Sequence, residues 1–341
     1  MPELRKDPVV GRWVIIATER ARRPGNFVSE EDKMGGEEPE SCSLCRNKEK
    51  PVYLAVKDGN KAQADHWHVK VVEGNRPFLK IQKEFKRSSN GLYDVIDGYG
   101  VHEMIIETPE HIENMADLDV DQISLVFKTY AERMIELQKD INLQYAMAYK
   151  NFGWTAGSLA RGHARSHLVA APVNPIRIKE KLVGAQTYFA SHKKCIYCDL
   201  VNQEKESQER VILETEHFIA ITPFAARFLF EVWVLPKQHH CDFTKGIKGR
   251  ENDLAGVLKI LLQKFKIGLN DPSYNYVVQT APFHKNRKTE KRWVTIEEDY
   301  HWHIELMPRL TRVAGFEKGT GFYICSIPPE TTAEYLKGIN I

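Results

Sequence analysis

Two short stretches hold the residue types that do chemistry, at spacings a strand would present together. They are His163-Ala164-Arg165-Ser166-His167 and, nearer the end of the chain, His301-Trp302-His303-Ile304-Glu305. Residues two apart on a strand share a face, so each stretch lines up imidazole with guanidinium or carboxylate on one side. Each also follows a Cys-x-x-Cys pair, Cys42/Cys45 for the first and Cys195/Cys198 for the second. In a long intracellular chain such pairs are metal ligands or redox dithiols more often than disulfides. The pairs lie far beyond the roughly 15–20 residues that separate the knuckles of a four-cysteine module. They therefore predict two separate metals, each completed by histidines.

Zinc prefers four soft or borderline ligands in a tetrahedron, and two cysteines with two histidines are a common set. The candidates are Cys42, Cys45, His111 and His163 in the first half, and Cys195, Cys198, His239 and His301 in the second. His240 and Cys241, next to His239, leave the third ligand of the second site open, and iron stays open beside zinc there. With every position filled by protein, both sites read as closed and structural. The plain alternative is a set of buried or redox-paired cysteines beside ordinary histidines.

Positioning these groups takes a sizeable fold, and 341 residues, 42% hydrophobic and 28% charged, supply one, with length for two domains. A net charge of +2 makes no case for nucleic acid or a membrane surface as partner. The charged start from Met1 to Asp7 leads to no apolar run and no stretch approaches membrane-spanning length, which predicts a cytoplasmic protein.

Strand patterns fall at 11–17, 66–72, 102–107 and 145–149, and again at 217–222, 231–239 and around 275–278. A loop from Arg20 to Gly25 leads into an acidic, Gly-rich connector. Ile123, Phe127, Tyr130, Met134, Leu137 and Ile141 recur at helical spacing after an Asp119/Gln122 capping pair. Leu254, Leu258, Leu261, Phe265 and Leu269 do the same in the second half. Pro172 to Pro175 punctuates the chain and 177–181 reads as a connector, which places a boundary between domains 1–176 and 177–341. Both halves then run Cys-x-x-Cys, strand, strand ending in Pro and His, amphipathic helix, Asn-bearing strand, His-x-Arg or His-x-His. The expectation is an α+β chain of two duplicated half-domains, each an antiparallel sheet with packed helices.

Three segments also resemble the galactose-1-phosphate uridylyltransferase family of the histidine-triad superfamily. They are the opening from Glu3 to Pro24, Gly91-Leu-Tyr-Asp-Val with Val101-His-Glu-Met-Ile-Ile-Glu-Thr-Pro-Glu-His111, and the long run from His301 to Gly321. The resemblance implies two histidine-triad-like half-domains, zinc sites like those above, a homodimer, and nucleotidyl transfer between a nucleotide sugar and a sugar phosphate, or related phosphorolysis.

At the chemical centre the chain departs from that family's His-Pro-His-Ser-Gln, whose middle histidine attacks the α-phosphorus. Aligned on Leu168-Val-Ala-Ala-Pro172, Arg165 takes the nucleophile's place and His167 the glutamine's. A guanidinium stays protonated with a pKa above about 12 and has no lone pair for phosphorus. It can instead grip phosphate or sulfate-like oxygens and neutralise developing charge. Three readings follow: direct nucleotidyl transfer with Arg165 on the phosphate and His167 or His303 as acid/base, His167 as a relocated nucleophile, or a silent nucleotide site. A phosphorylase using phosphate or a related oxyanion as acceptor is the runner-up among the enzymes. By the same resemblance, Asn151 and Gly153 fall near the nucleotide and Lys318 and Phe322 around the sugar phosphate; from the residues themselves, Ser158 and Ser166 beside the Arg/His cluster suit an anion, and Arg161 is a further candidate phosphate contact. The basic loop 284–292 reads as a solvated surface or a lid.

Overall fold

The computed structural model describes residues 1–20, 38–46, 50–57, 66–158, 162–283 and 293–341. Arg161, the loop and connector after Arg20 as far as residue 37, and the basic loop 284–292 lie outside the described residues. Strands β1 (Glu3–Lys6) and β2 (Trp13–Ile16) precede β3 (Tyr53–Ala55), β4 (Val69–Glu73), the hairpin β5 (Arg87–Asn90) and β6 (Tyr93–Ile96), and β7 (Val101–Ile106). Helix α1 (Val120–Leu137) leads to β8 (Tyr145–Phe152) and β9 (Arg165–Ala171), then α2 (Ile176–His192) and α3 (Ile196–Ser207). The second half continues with β10 (Val211–Glu214), β11 (Phe218–Ile221), β12 (Val232–Pro236), the one-turn α4 (Phe243–Gly246) and α5 (Glu251–Gly268). It closes with β13 (Tyr274–Gln279), the one-turn α6 (Ile296–Asp299), β14 (His303–Pro308), α7 (Gly315–Thr320), β15 (Tyr323–Cys325) and α8 (Pro329–Lys337). No described helix is long and apolar enough to cross a membrane.

Ten of these strands make one sheet in the order β10-β11-β12-β14-β13-β8-β9-β7-β4-β3, antiparallel at every pairing. Read inward from either edge, the two halves match strand for strand, so the duplication in the sequence is a duplication of the sheet. The halves join where β8 pairs with β13, through Tyr149↔Val277, Tyr276↔Lys150, Asn275↔Asn151 and Tyr274↔Phe152. Tyr149 faces His167 on β9 and Val277 faces Glu305 on β14, so these two seam residues occupy equivalent places. A pseudo-twofold axis therefore passes through their pair. By the same register, Gln279 rather than Asn275 is the counterpart of Asn151.

The two amphipathic helices form as their apolar spacing requires. Asp119 caps α1 by accepting from the Gln122 amide, and Ile123, Phe127, Tyr130 and Met134 are buried along its length. The helix ends at Leu137, so Ile141 falls beyond it and is exposed. α1 and α5 pack on one face of the sheet over a core that runs through both halves. Each large apolar side chain buried there contributes about 1.5–3 kcal/mol. On the opposite face, α2 and α3 cover only the second half, with Ile178, Leu182, Tyr197, Val201 and Trp233 in that layer.

Residues 177–181 are thus the first turns of α2 and not a connector. Pro175 at the N-cap, with φ −60, is set for helix entry, and the charges of Arg177, Lys179 and Glu180 mask the buried row Ile178, Leu182, Ala185.

β8 ends at a glycine the fold requires. Gly153 has φ +81, and a Cβ there would stand 1.9 Å from Ser273 Oγ, just before β13. Gly153→Ala should cost about 2–4 kcal/mol in denaturant unfolding, with part recovered by adding Ser273→Gly, which removes the Oγ and Cβ clashes and leaves the backbone strain and the 3.0 Å approach to the Ser273 Cα.

Candidate active site and metal centres

The two Cys/His sets assemble as the sequence anticipates. In each, four ligand atoms, one from every residue, lie within 4.8 Å of one another: Cys42, Cys45, His111 and His163, and Cys195, Cys198, His239 and His301. His239, not His240, is the residue that joins the second set. Cys45 Sγ is 3.2 Å from His111 Nδ1 and 3.4 Å from His163 Nδ1, and Cys198 Sγ is 3.3 Å from His239 Nδ1 and 3.6 Å from His301 Nδ1. Bond lengths of about 2.0–2.3 Å put the edges of a tetrahedral zinc site at about 3.3–3.8 Å, so the donors fit a metal of that size. His163, His239 and His301 each have the outer-sphere partner that suits a ligand. His163 Nε2 meets the Thr108 carbonyl at 2.6 Å, His301 Nε2 that of Pro236 at 2.9 Å, and His239 Nε2 that of Glu297 at 2.9 Å. An Nε2–H donated to a carbonyl leaves the Nδ1 lone pair for the metal. Cys195 caps α3 and Cys198 sits in its first turn. The Cys198 thiol is held well down by the Cys195 hydrogen bond, then by those of His239 and His301, while Cys195 is pushed up as the donor of the pair. An ion in the first set would tie the loop carrying Cys42 and Cys45 to His111 and to the residue that leads into β9.

β9 alternates as its sequence implies. Arg165 and His167 share one face, and Ser166, Leu168 and Ala170 point into the core. One guanidinium nitrogen of Arg165 donates to Ser158 Oγ at 2.8 Å and another to the His163 carbonyl at 3.3 Å. Asn151, Gly153, Ser158, His163 and Arg165 line a single small cleft. From the core side Lys150 Nζ donates to the Arg165 carbonyl at 2.9 Å and to Glu107 at 2.6 Å, a fully buried ion pair that fixes the start of the strand.

Ser166 does not join the cleft. It is completely buried, accepts from the Tyr130 hydroxyl at 2.5 Å, and is linked through it to Tyr276, because strand alternation turns it toward α1. Lys318 is exposed on α7 and Phe322 packs edge-on against Phe316; neither lines the cleft.

Sequence reasoning missed the partners of His167. Its Nδ1 lies 3.2 Å from His102 Nε2, and its ring stacks on Tyr149 at 5.2 Å. His102 stands on β7, two positions from Met104, the register partner of His167; only the cross-strand register brings the two imidazoles together. Burial, then the positive ends of His102, Arg165 and Lys150, lowers His167 to about 4, so its imidazole is neutral at pH 7.

The second half has the same face, but there α2 and α3 cover it. His303 is wholly buried beneath Lys181 of α2, with Tyr197 and Trp233 around its ring. Lys181 Nζ donates to His303 Nε2 at 3.0 Å, and His303 Nδ1 donates to the His301 carbonyl at 3.0 Å. Glu305, in the place of His167, is held by Lys181, by Gln279 and by Arg227, which also grips Glu231. Burial and Lys181 lower His303 to about 4. Both ring nitrogens of His303 are thus committed within the protein, and the ring has no exposure.

Two outcomes are expected. Elemental analysis of purified protein should give two equivalents of metal per chain, with Cys198→Ala losing one and melting lower. The depressed pKa of His167 has a definite sign: between about 4 and the unfolded value near 6.5 the unfolded chain binds the extra proton, so stability is full above pH 6.5 and falls as pH drops toward 4. Wild type should lose up to about 3 kcal/mol more than His167→Gln across that window in urea titrations.

Comparison with known proteins gives the same picture. Residues 1–206 match the model of the galactose-1-phosphate uridyl transferase N-terminal domain and residues 180–319 that of the C-terminal domain. An ADP-glucose phosphorylase of Arabidopsis thaliana is 34% identical, over 100% of this chain and 93% of its own length. A galactose-1-phosphate uridylyltransferase of Thermotoga maritima is 25% identical, over 100% of this chain and 99% of its own. The crystal structure of an Arabidopsis thaliana ADP-glucose phosphorylase with bound ADP-glucose superposes with a TM-score of 0.80 at 31% identity, covering 100% of this chain and 99% of that one. The extent of these matches, with the duplicated sheet and paired Cys/His sets, makes this chain a member of the galactose-1-phosphate uridyl transferase family.

Proposed function

We propose that this chain transfers a nucleotidyl group from a nucleotide sugar to a phosphate-bearing acceptor, inorganic phosphate included, by direct displacement. A phosphate oxygen of the acceptor forms a bond to the α-phosphorus while the bond from phosphorus to the bridging oxygen breaks. The products are a nucleoside diphosphate, when the acceptor is phosphate, and the sugar 1-phosphate. The observation that supports this reading is Arg165: a permanent cation on the open face of β9, beside Ser158 and two residues after His163. Its guanidinium suits a phosphoryl group that gains charge on its equatorial oxygens, and it offers no attacking lone pair. The similarity to a relative named ADP-glucose phosphorylase favours phosphate as acceptor over a sugar phosphate, and adenosine over uridine. His167, neutral at pH 7, would accept or donate a hydrogen bond at the reacting phosphates. Zinc is the metal that two thiolates and two imidazoles favour, and the same donor set in both sites favours one metal for both. A homodimer and a cytoplasmic setting belong to the same reading.

One contact favours a second reading. If His167 Nδ1–H donates to His102, the opposite nitrogen carries a lone pair and can attack phosphorus, giving a nucleotidyl-His167 intermediate. The stereochemistry decides. With a nucleotide sugar chiral at the α-phosphorus through sulfur, direct transfer inverts configuration and leaves no adduct in an intact-mass spectrum. Retention with an adduct abolished by His167→Ala would replace the first reading by the second, and absence of turnover would remove both. Under direct transfer Arg165→Ala should lower kcat/KM by about 10²–10³, and Arg165→Lys should recover only part, because an ammonium lacks the planar fork.

A further inference from the structure

Asn151 belongs to the first half, yet its side chain is oriented by the second. Asn275, its register partner across the seam, donates from Nδ2 to Asn151 Oδ1 at 2.7 Å and to the Ala156 carbonyl at 2.9 Å. The Asn275 oxygen accepts from Arg309 Nε, just past the end of β14. The Arg309 guanidinium packs 4.7 Å over the Phe228 ring, and its backbone amide is tied to the Ser273 carbonyl.

Arginine has donors only, so the group facing Arg309 must be the Asn275 oxygen. Both hydrogens of Asn275 Nδ2 are then directed at Asn151 Oδ1 and Ala156. With its own oxygen taken, Asn151 turns its Nδ2 the other way, to within 3.8 Å of where a Cβ on Gly157 would stand. Gly157, at φ +91, carries the chain into Ser158, whose hydroxyl meets Arg165. A neutral donor and a guanidinium, both of kinds that bind phosphate oxygens, thus border one small cleft that Glu113 and Lys150 also line.

We propose that Arg309 and Asn275 are positioning residues that lock the Asn151 amide across the β8–β13 seam, so that its nitrogen donates to an anion held by Arg165. That the anion is a phosphate of a nucleotide sugar rests on the proposed function; the relay itself does not.

Calorimetric titration with inorganic pyrophosphate, and separately with ADP-glucose, tests the two apart. Arg309→Ala, Asn275→Asp and Asn151→Ala should each weaken pyrophosphate binding about ten-fold, the loss expected for one hydrogen bond to a charged group. Asn275→Asp keeps the acceptor for Arg309 and removes the donor to Asn151, so it carries the test if Arg309→Ala fails to fold. Arg309→Lys, which retains a donor, should stay within about three-fold of wild type. In the double variant Asn151→Ala with Arg309→Ala, the relay has nothing left to aim, and binding should be no weaker than in Asn151→Ala alone. A multiplied loss in the double variant, unchanged affinity in Asn275→Asp, or no pyrophosphate binding by wild type would overturn the relay. Relay-dependent pyrophosphate binding without ADP-glucose binding would uphold it and remove the proposed substrate.

Discussion

The structure depends on one backbone contact, the antiparallel pairing of β8 with β13. Each half alone is a five-stranded sheet whose best-formed strand would lie at an edge with its amides and carbonyls unpaired. Pairing these strands satisfies both edges, makes one sheet of ten, and lets α1 and α5 share a continuous core. It also sets Asn151 opposite Asn275 at the rim of the cleft. The pseudo-twofold through Tyr149 and Val277 means that any residue near the axis is close to both copies of the ancestral site.

From that symmetric start the copies part company by what covers them. On the second half, α2 and α3 lie across the face that bears His303 and Glu305, and the charges there are neutralised internally by Lys181 and Arg227. On the first half, the corresponding face carries, among the described residues, no helix but a small apolar group, Val72, Met104 and Ile106, with Leu44 and Trp67 against it, and Phe78 packed on His102. Arg165 and His167 are part-exposed, whereas their counterparts His303 and Glu305 are buried. The same fold thus gives a part-exposed Arg/His strand in one half and a buried ion-pair cluster in the other. Cluster residues such as Glu305 tolerate burial because each carboxylate oxygen is matched by a cation or amide.

Much of this was legible in the sequence because it depends on period and type. The Cys-x-x-Cys pairs with their histidines, the strand alternation that puts Arg165 and His167 together, and the α1 and α5 faces are local patterns read directly from spacing. What escaped was set by register between distant segments. His102 reaches His167 only through the pairing of β7 with β9, and Arg309 reaches Asn151 only through Asn275 across the seam. α2 was hidden for a different reason, its apolar row being interleaved with charges behind a run of prolines. Ser166 shows the limit of transferring a motif by position: its neighbours on both sides share the opposite, less buried face of the strand, and alternation alone sends its hydroxyl to Tyr130.

Joining the halves through their innermost strands has a consequence for the outside of the molecule. The longest strand, β8, is sequestered at the middle of the sheet, and the strands left at its two edges are β3, of three residues, and β10, of four. β10 is also irregularly registered on β11, with a shift between Val211 and Leu213. Edges that short and uneven offer little template for another chain to add to, so the geometry that fuses the two halves also discourages runaway strand-on-strand aggregation between molecules.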